Sequence, residues 1–200
     1  MDKGKTICVN ESEMAMHVPN AISPGFTKKD RSGFKYWFAH WCAFQMTALN
    51  FRAWKPKYLM HDIEKPWLKL FMGYKKVQRL HRTRSRHHLS YNAEYKDGVM
   101  QLCIDNLDKM DFQAMLIDWE CSRYTKVEAP KTALQELIDL KNREGDFSEE
   151  KMHMDDVTHT KLMHYLKFNA LYLNSAELFD FVTESCKGEK EEEEAMEEQA

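Results

Sequence analysis

GFKYWFAHWCAFQMTALNF, residues 33–51, has no proline, and its only glycine is its first residue. Apolar and aromatic residues fall on more than one face at 3.6 residues per turn, which predicts a buried helix of four or five turns with the methionine and aromatic side chains in the core. Working outward, Pro56 opens a second expected helix over residues 55–65, KPKYLMHDIEK, which Pro66 closes. A third expected helix covers residues 66–88, PWLKLFMGYKKVQRLHRTRSRHH, and Asp97-Gly98 marks a turn after it. Residues 97–124 read as one long helix, or as two with a break near Asp108–Asp111. Residues 131–143 have helical spacing that stops at Gly145, and residues 148–186 continue the helical period. No alternating strand pattern, internal repeat or Gly-rich phosphate loop interrupts this series, so the expected fold is all-α.

Three regions follow from composition. Residues 1–32 are polar, without a sustained period, and read as a flexible arm. Residues 33–186 form the helical domain, and residues 187–200 form a disordered acidic tail. Residues 189–200 hold seven acids and one lysine; without them the chain has 28 Lys plus Arg against 25 acids, a net of +3. The five cysteines (Cys8, Cys42, Cys103, Cys121, Cys186) include no CxxC pair, which argues against a disulfide framework and a Cys-type zinc site. No stretch approaches the ~18–20 apolar residues of a bilayer span, and the N-terminus lacks the apolar core of a secretory signal. The expectation is a cytoplasmic protein with no membrane partner.

The histidines carry the chemistry. They fall in the order His40, His61-Asp62, His81, His87-His88, followed by Asp118-Trp119. Imidazole and carboxylate are the groups that hold catalytic divalent metals while leaving positions for water and substrate. Taken singly, each histidine is better read as a hydrogen-bonded core residue, and the ordered set reverses that balance; the lesser alternative for Asp118 is a surface acid paired with Arg123. Adjacent His61 and Asp62 point about 100° apart on a helix and can reach one metal only near its end. In an unbroken helix His88, seven residues after His81, shares its face and His87 does not, which favours His88 without excluding His87. Six cations, Lys75, Lys76, Arg79, Arg82, Arg84 and Arg86, lie within twelve residues that contain no acid. They suit phosphate, as the bidentate guanidinium does, or else form a solvated helix face.

This order, H…HD…H…H…D with spacings of 21, 20, 7 and 30 residues, resembles the HD-domain metal-dependent phosphohydrolases. HDIEKP, residues 61–66, is similar to that superfamily's HDxGKP motif, with Glu64 in place of the common glycine. HRTRSRHHLSY and DWECSR also look like a group of small bacterial and phage HD-like proteins. The resemblance implies a helical bundle around a metal site. His40, His61, Asp62 and Asp118 would be ligands. Asp62 would bridge to a second ion held by His81 with His87 or His88. Lys65, with Asp62, would serve catalysis and contact phosphate, beside Arg79, Arg82 and Arg86. The cofactor would be one or two divalent ions (Mn, Mg, Fe, Co or Zn). The implied activity is hydrolysis of a nucleotide or other small phosphate ester. The alternatives are an inactive HD-like module that binds nucleotide or nucleic acid and, more weakly, a di-iron oxygenase.

Overall fold

The computed structural model describes residues 25–96, 99–127, 131–142 and 155–197. Seven α-helices fall within them: α1 Phe34–Asn50, α2 Glu64–Phe71, α3 Tyr74–Arg84, α4 Lys109–Ser122, α5 Ala133–Lys141, α6 Asp156–Ala170 and α7 Ala176–Glu197. The fold is all-α. A short antiparallel hairpin, β1 Glu94–Lys96 with β2 Val99–Gln101, pairs Tyr95 with Met100 and was not expected from the sequence. The Asp97-Gly98 and Gly145 signals lie outside the described residues.

Helix α4 is the hub. Ten of its fourteen residues are buried, and it packs against α1, α5 and α6, while α7 covers α5 and α6. A helix buried on all sides shows no apolar stripe, which is why its sequence carries little periodicity. Phe44 of α1, Met115, Leu116 and Ile117 of α4, Leu137 of α5, Leu162 and Leu166 of α6 and Leu178 of α7 are fully or almost fully buried in one core. Asp108 caps α4: its carboxylate accepts from the Met110 and Asp111 amides, and Asp111 returns the bond to the Asp108 amide. That reciprocal cap fixes the break expected near Asp108–Asp111.

Several expectations need correction. Phe34 and Phe38 of α1 are 64% and 51% exposed, so the aromatic face of this helix is core only where it meets α4. The second expected helix is a 3-10 turn, Pro56–Met60. Pro66 does not close it; it is the third residue of α2, where its missing N–H costs nothing. The third expected helix is two: it breaks at Gly73, which is extended at φ −65°, ψ 152°, and it stops at Arg84, before His87. Only the α4 part of residues 97–124 is α-helical; the hairpin strand and a 3-10 turn, Ile104–Asn106, precede it. Within the stretch read as a flexible arm, Phe26 exchanges backbone bonds with Thr125 and Val127. Helix α7 runs to Glu197, through the run read as a disordered tail. Glutamate is a good helix former, and extending an existing helix needs no new nucleus.

Candidate metal centre

The His-Asp dipeptide sits at a sharp break in the chain. Asp62 has φ 59°, in the left-handed region that Asp and Asn tolerate better than most residues. The break separates the 3-10 turn from α2 and lets His61 and Asp62 face one point. It is held from outside: the Trp37 indole N–H donates to the Asp62 carbonyl at 2.7 Å, and the Lys65 amide donates to the same oxygen.

The convergence expected from the order of residues is present. His40 Nε2 lies 3.0 Å from Asp118 Oδ1 and 3.6 Å from Asp62 Oδ2. His61 Nε2 lies 3.4 Å from Asp118 Oδ1 and 3.7 Å from Asp62 Oδ2. These four atoms form one lobe. On the other side of Asp62, Oδ1 is 2.9 Å from His81 Nε2 and 3.6 Å from His87 Nε2. The His88 ring completes this second lobe, with its centroid 4.7 Å from that of His81 and 4.4 Å from that of His87. The preference for His88 over His87 fails because α3 ends at Arg84; both rings lie in the turn that follows.

These spacings allow a test of fit. Two ligands at ~2.0–2.2 Å from one ion, at right to tetrahedral angles, stand about 2.9–3.5 Å apart. The separations in both lobes lie close to that range. His61 Nε2, Asp62 Oδ1, His81 Nε2, His87 Nε2 and His88 Nε2 are all buried without a hydrogen bond of adequate geometry. Buried polar atoms are nearly always satisfied, and each one left unpaired costs about 1–3 kcal/mol. Four imidazole nitrogens around a carboxylate whose own Oδ1 is unpaired fit the residues of a metal site. Buried His, Asp and Cys groups here could hold an ion.

Neighbouring residues set the ring states. Glu64, to which the sequence assigned no role, bonds His81 Nδ1, joined by the Ser85 hydroxyl at 2.9 Å. This turns His81 Nε2 inward, as outer-shell carboxylates do for metal-ligating histidines. Burial pulls His81 down, but the Asp62 and Glu64 carboxylates beside it outweigh that and raise its pKa. Burial holds His61 down to about 4 and puts His88 well below its ordinary value. Burial opposes charge on Asp62, yet His61, Lys65 and the His81 and His87 rings beside it hold it well below the usual range. Asp118 is likewise lowered despite burial, by the His40 and His61 rings beside it. It does not pair with Arg123, which binds Glu120 at 2.9 Å instead. Behind His40 lies Cys121, with Sγ 3.7 Å from Nδ1. Burial raises this thiol well above its ordinary pKa, so it stays protonated.

A cleft of about 1190 Å³ opens over both lobes, with His40, Asp62, His88 and Asp118 on its wall. Lys65, Arg79 and Arg82 line it as expected. Arg86 does not. Its guanidinium is bound to Asp111 at 2.8 Å and to the Asn106 carbonyl, and it braces the α4 cap. Lys75 of the basic run lines the same cleft, and the sequence reading missed Lys28, Arg31, Lys69 and Lys126 there. The four missed cations come from three separate places along the chain, and no local run announces them. Fold and site together define an all-helical protein with buried histidine and aspartate clusters able to hold metal ions. No known protein family, curated protein or solved structure matches this chain.

Proposed function

We propose that the protein is a metal-dependent phosphohydrolase of HD type, acting on a nucleotide or another small phosphate ester. The observation that carries this reading is Asp62, whose two oxygens are shared between two histidine-lined lobes at the base of a cleft walled by cations. His40, His61, Asp62 and Asp118 would hold one ion, and Asp62 with His81, His87 and His88 a second. The donor sets, two nitrogens with two oxygens and three nitrogens with one, suit Mn, Fe, Co or Zn better than the all-oxygen preference of Mg. Such ions supply acidification of water and neutralisation of charge on phosphoryl oxygens.

The chain's own residues do the rest. Arg79 and Arg82 orient the phosphate from the cleft wall. Lys65 lies 2.5 Å from Asp62 Oδ2 and stands between the site and the cleft, placed to turn from carboxylate to substrate. Tyr36 stacks on His40 with centroids 5.9 Å apart and shields one side of the first lobe from water.

The test is metal analysis of the purified protein, then phosphate release from a nucleotide panel with Mn, Co and Mg. Arg82→Ala should lower kcat/KM roughly ten- to hundredfold, the worth of a charge-assisted bond. Arg86→Ala should lower stability more than turnover. A protein that takes up no transition metal would end this reading. Tight nucleotide binding without turnover would favour the inactive binding module.

A further inference from the structure

The apolar residues of α2 are not packed against the bundle. Ile63, Trp67, Leu70 and Phe71 recur at the i, i+4, i+7, i+8 spacing of a helix face that ordinarily seeks a partner. Yet no residue of α2 is buried, and Trp67, Leu70 and Phe71 are 66%, 73% and 84% exposed. The ledge continues onto α1. Phe38 stacks with Trp41, and the Trp41 indole donates to the Leu59 carbonyl at 3.0 Å, beside exposed Met60. At the other end the Lys69 ammonium bonds the Ser32 carbonyl, and Leu70 and Phe34 share the mouth of the cleft. Monomeric proteins rarely leave so continuous an apolar surface without a use for it.

Charge narrows the use. Phe34 and Leu70 share the cleft with Lys28, Arg31, Lys69, Lys75, Arg79 and Arg82, and the acids at the start of α2 are engaged, Asp62 in the site and Glu64 by His81. A second copy docked through this face would bring two cationic surfaces together. A nucleic acid would meet the cations but leave Met60, Ile63, Leu70 and Phe71 facing phosphates and water. An anionic lipid surface matches both features, with the aromatic and aliphatic ledge in the headgroup boundary and lysines on the phosphates.

We propose that the α1–α2 ledge docks the protein on an anionic phospholipid surface, with the mouth of the cationic cleft beside the bilayer. Among the described residues no helix is long and apolar enough to cross a membrane, which bears on spanning and leaves lying on the surface open. This inference goes beyond hydrolysis and does not depend on it.

The test is co-sedimentation in EDTA with phosphatidylcholine vesicles, with and without phosphatidylglycerol. EDTA keeps the result independent of any metal chemistry. Binding is expected only with phosphatidylglycerol, weakening as salt rises, with a blue shift of tryptophan emission that Trp67→Phe diminishes. Leu70→Glu and Phe71→Ser should each lower partitioning about tenfold or more. The comparison of the two vesicle types needs no variant. Absent binding, or equal binding to both vesicle types, would overturn the proposal. A solution dimer that Leu70→Glu splits would assign the ledge to a second copy. Vesicle binding that survives both substitutions and is competed by a single-stranded oligonucleotide would assign the charge to nucleic acid.

Discussion

The two lobes of the histidine cluster are built from different material. In the first, His40 comes from the middle of α1 and Asp118 from α4, two helices clamped by Phe44, Met115 and Ile117. Phe44 also stacks on the His61 ring at a centroid distance of 3.6 Å. In the second, His81 sits in the last turn of a helix whose only other buried residue is Val77, and His87 and His88 lie in the turn beyond it. The hydrophobic core therefore fixes the first lobe whether or not an ion is bound. The second relies on its own polar contacts and should bind more weakly. Asp62 is the sole group common to both.

That comparison can be broken most decisively at Asp62. Asp62→Asn keeps a side chain that accepts the left-handed backbone and removes the shared charge. Elemental analysis should show both ions lost from a folded, helical protein, and a variant retaining full metal would refute the bridge. Next in size is Phe44→Ala, which should cost about 3–5 kcal/mol in urea unfolding and weaken the first lobe along with the fold.

The metal-free protein should lose stability as pH falls. His61 is held neutral down to about pH 4 against an ordinary 6.5. The unfolded chain therefore binds a proton between those values that the folded chain refuses, and stability falls through that window. For His61 the gross effect is on the order of 3 kcal/mol. His88 acts in the same direction. His81 acts oppositely, since its pKa is raised and its contribution is full below 6.5. Asp62 and Asp118, lowered well below the usual range, stay charged across the window. A melting temperature flat from pH 7 to 4.5 would contradict the burial of neutral His61. The smallest effect separates the lobes: Glu64→Gln should weaken only the second, by about 10–100-fold in metal affinity. Isothermal titration should show one of two binding steps displaced, and two equal displacements would mean that the lobes are not independent.

Much of this site was legible in the residue order, because His40, His61-Asp62, His81 and Asp118 each fall on or beside a segment that reads as helix. The local breaks were not. The helical period runs on through His87 and across Gly73, and a single glycine weakens a helix without ending it. What bends the chain is tertiary, such as Trp37 reaching the Asp62 carbonyl. Arg86 looked like its neighbours in a basic run, and only the position of Asp111 across the fold assigns it to the α4 cap. Cys121 and Tyr36 beside His40 left no sign at all, since a thiol or phenol near a metal cluster has no spacing rule.

Helix α2 has a consequence for motion. Its eight residues, Glu64–Phe71, bury none of their number. It is bounded by the break at Asp62 and by Gly73, a residue whose added Cβ would meet nothing within 4 Å. A segment with so few buried contacts opens at a small fraction of the global unfolding free energy. Its amides should exchange with solvent hydrogen long before those of α4, so that one wall of the cleft opens and closes many times within the lifetime of an otherwise intact protein.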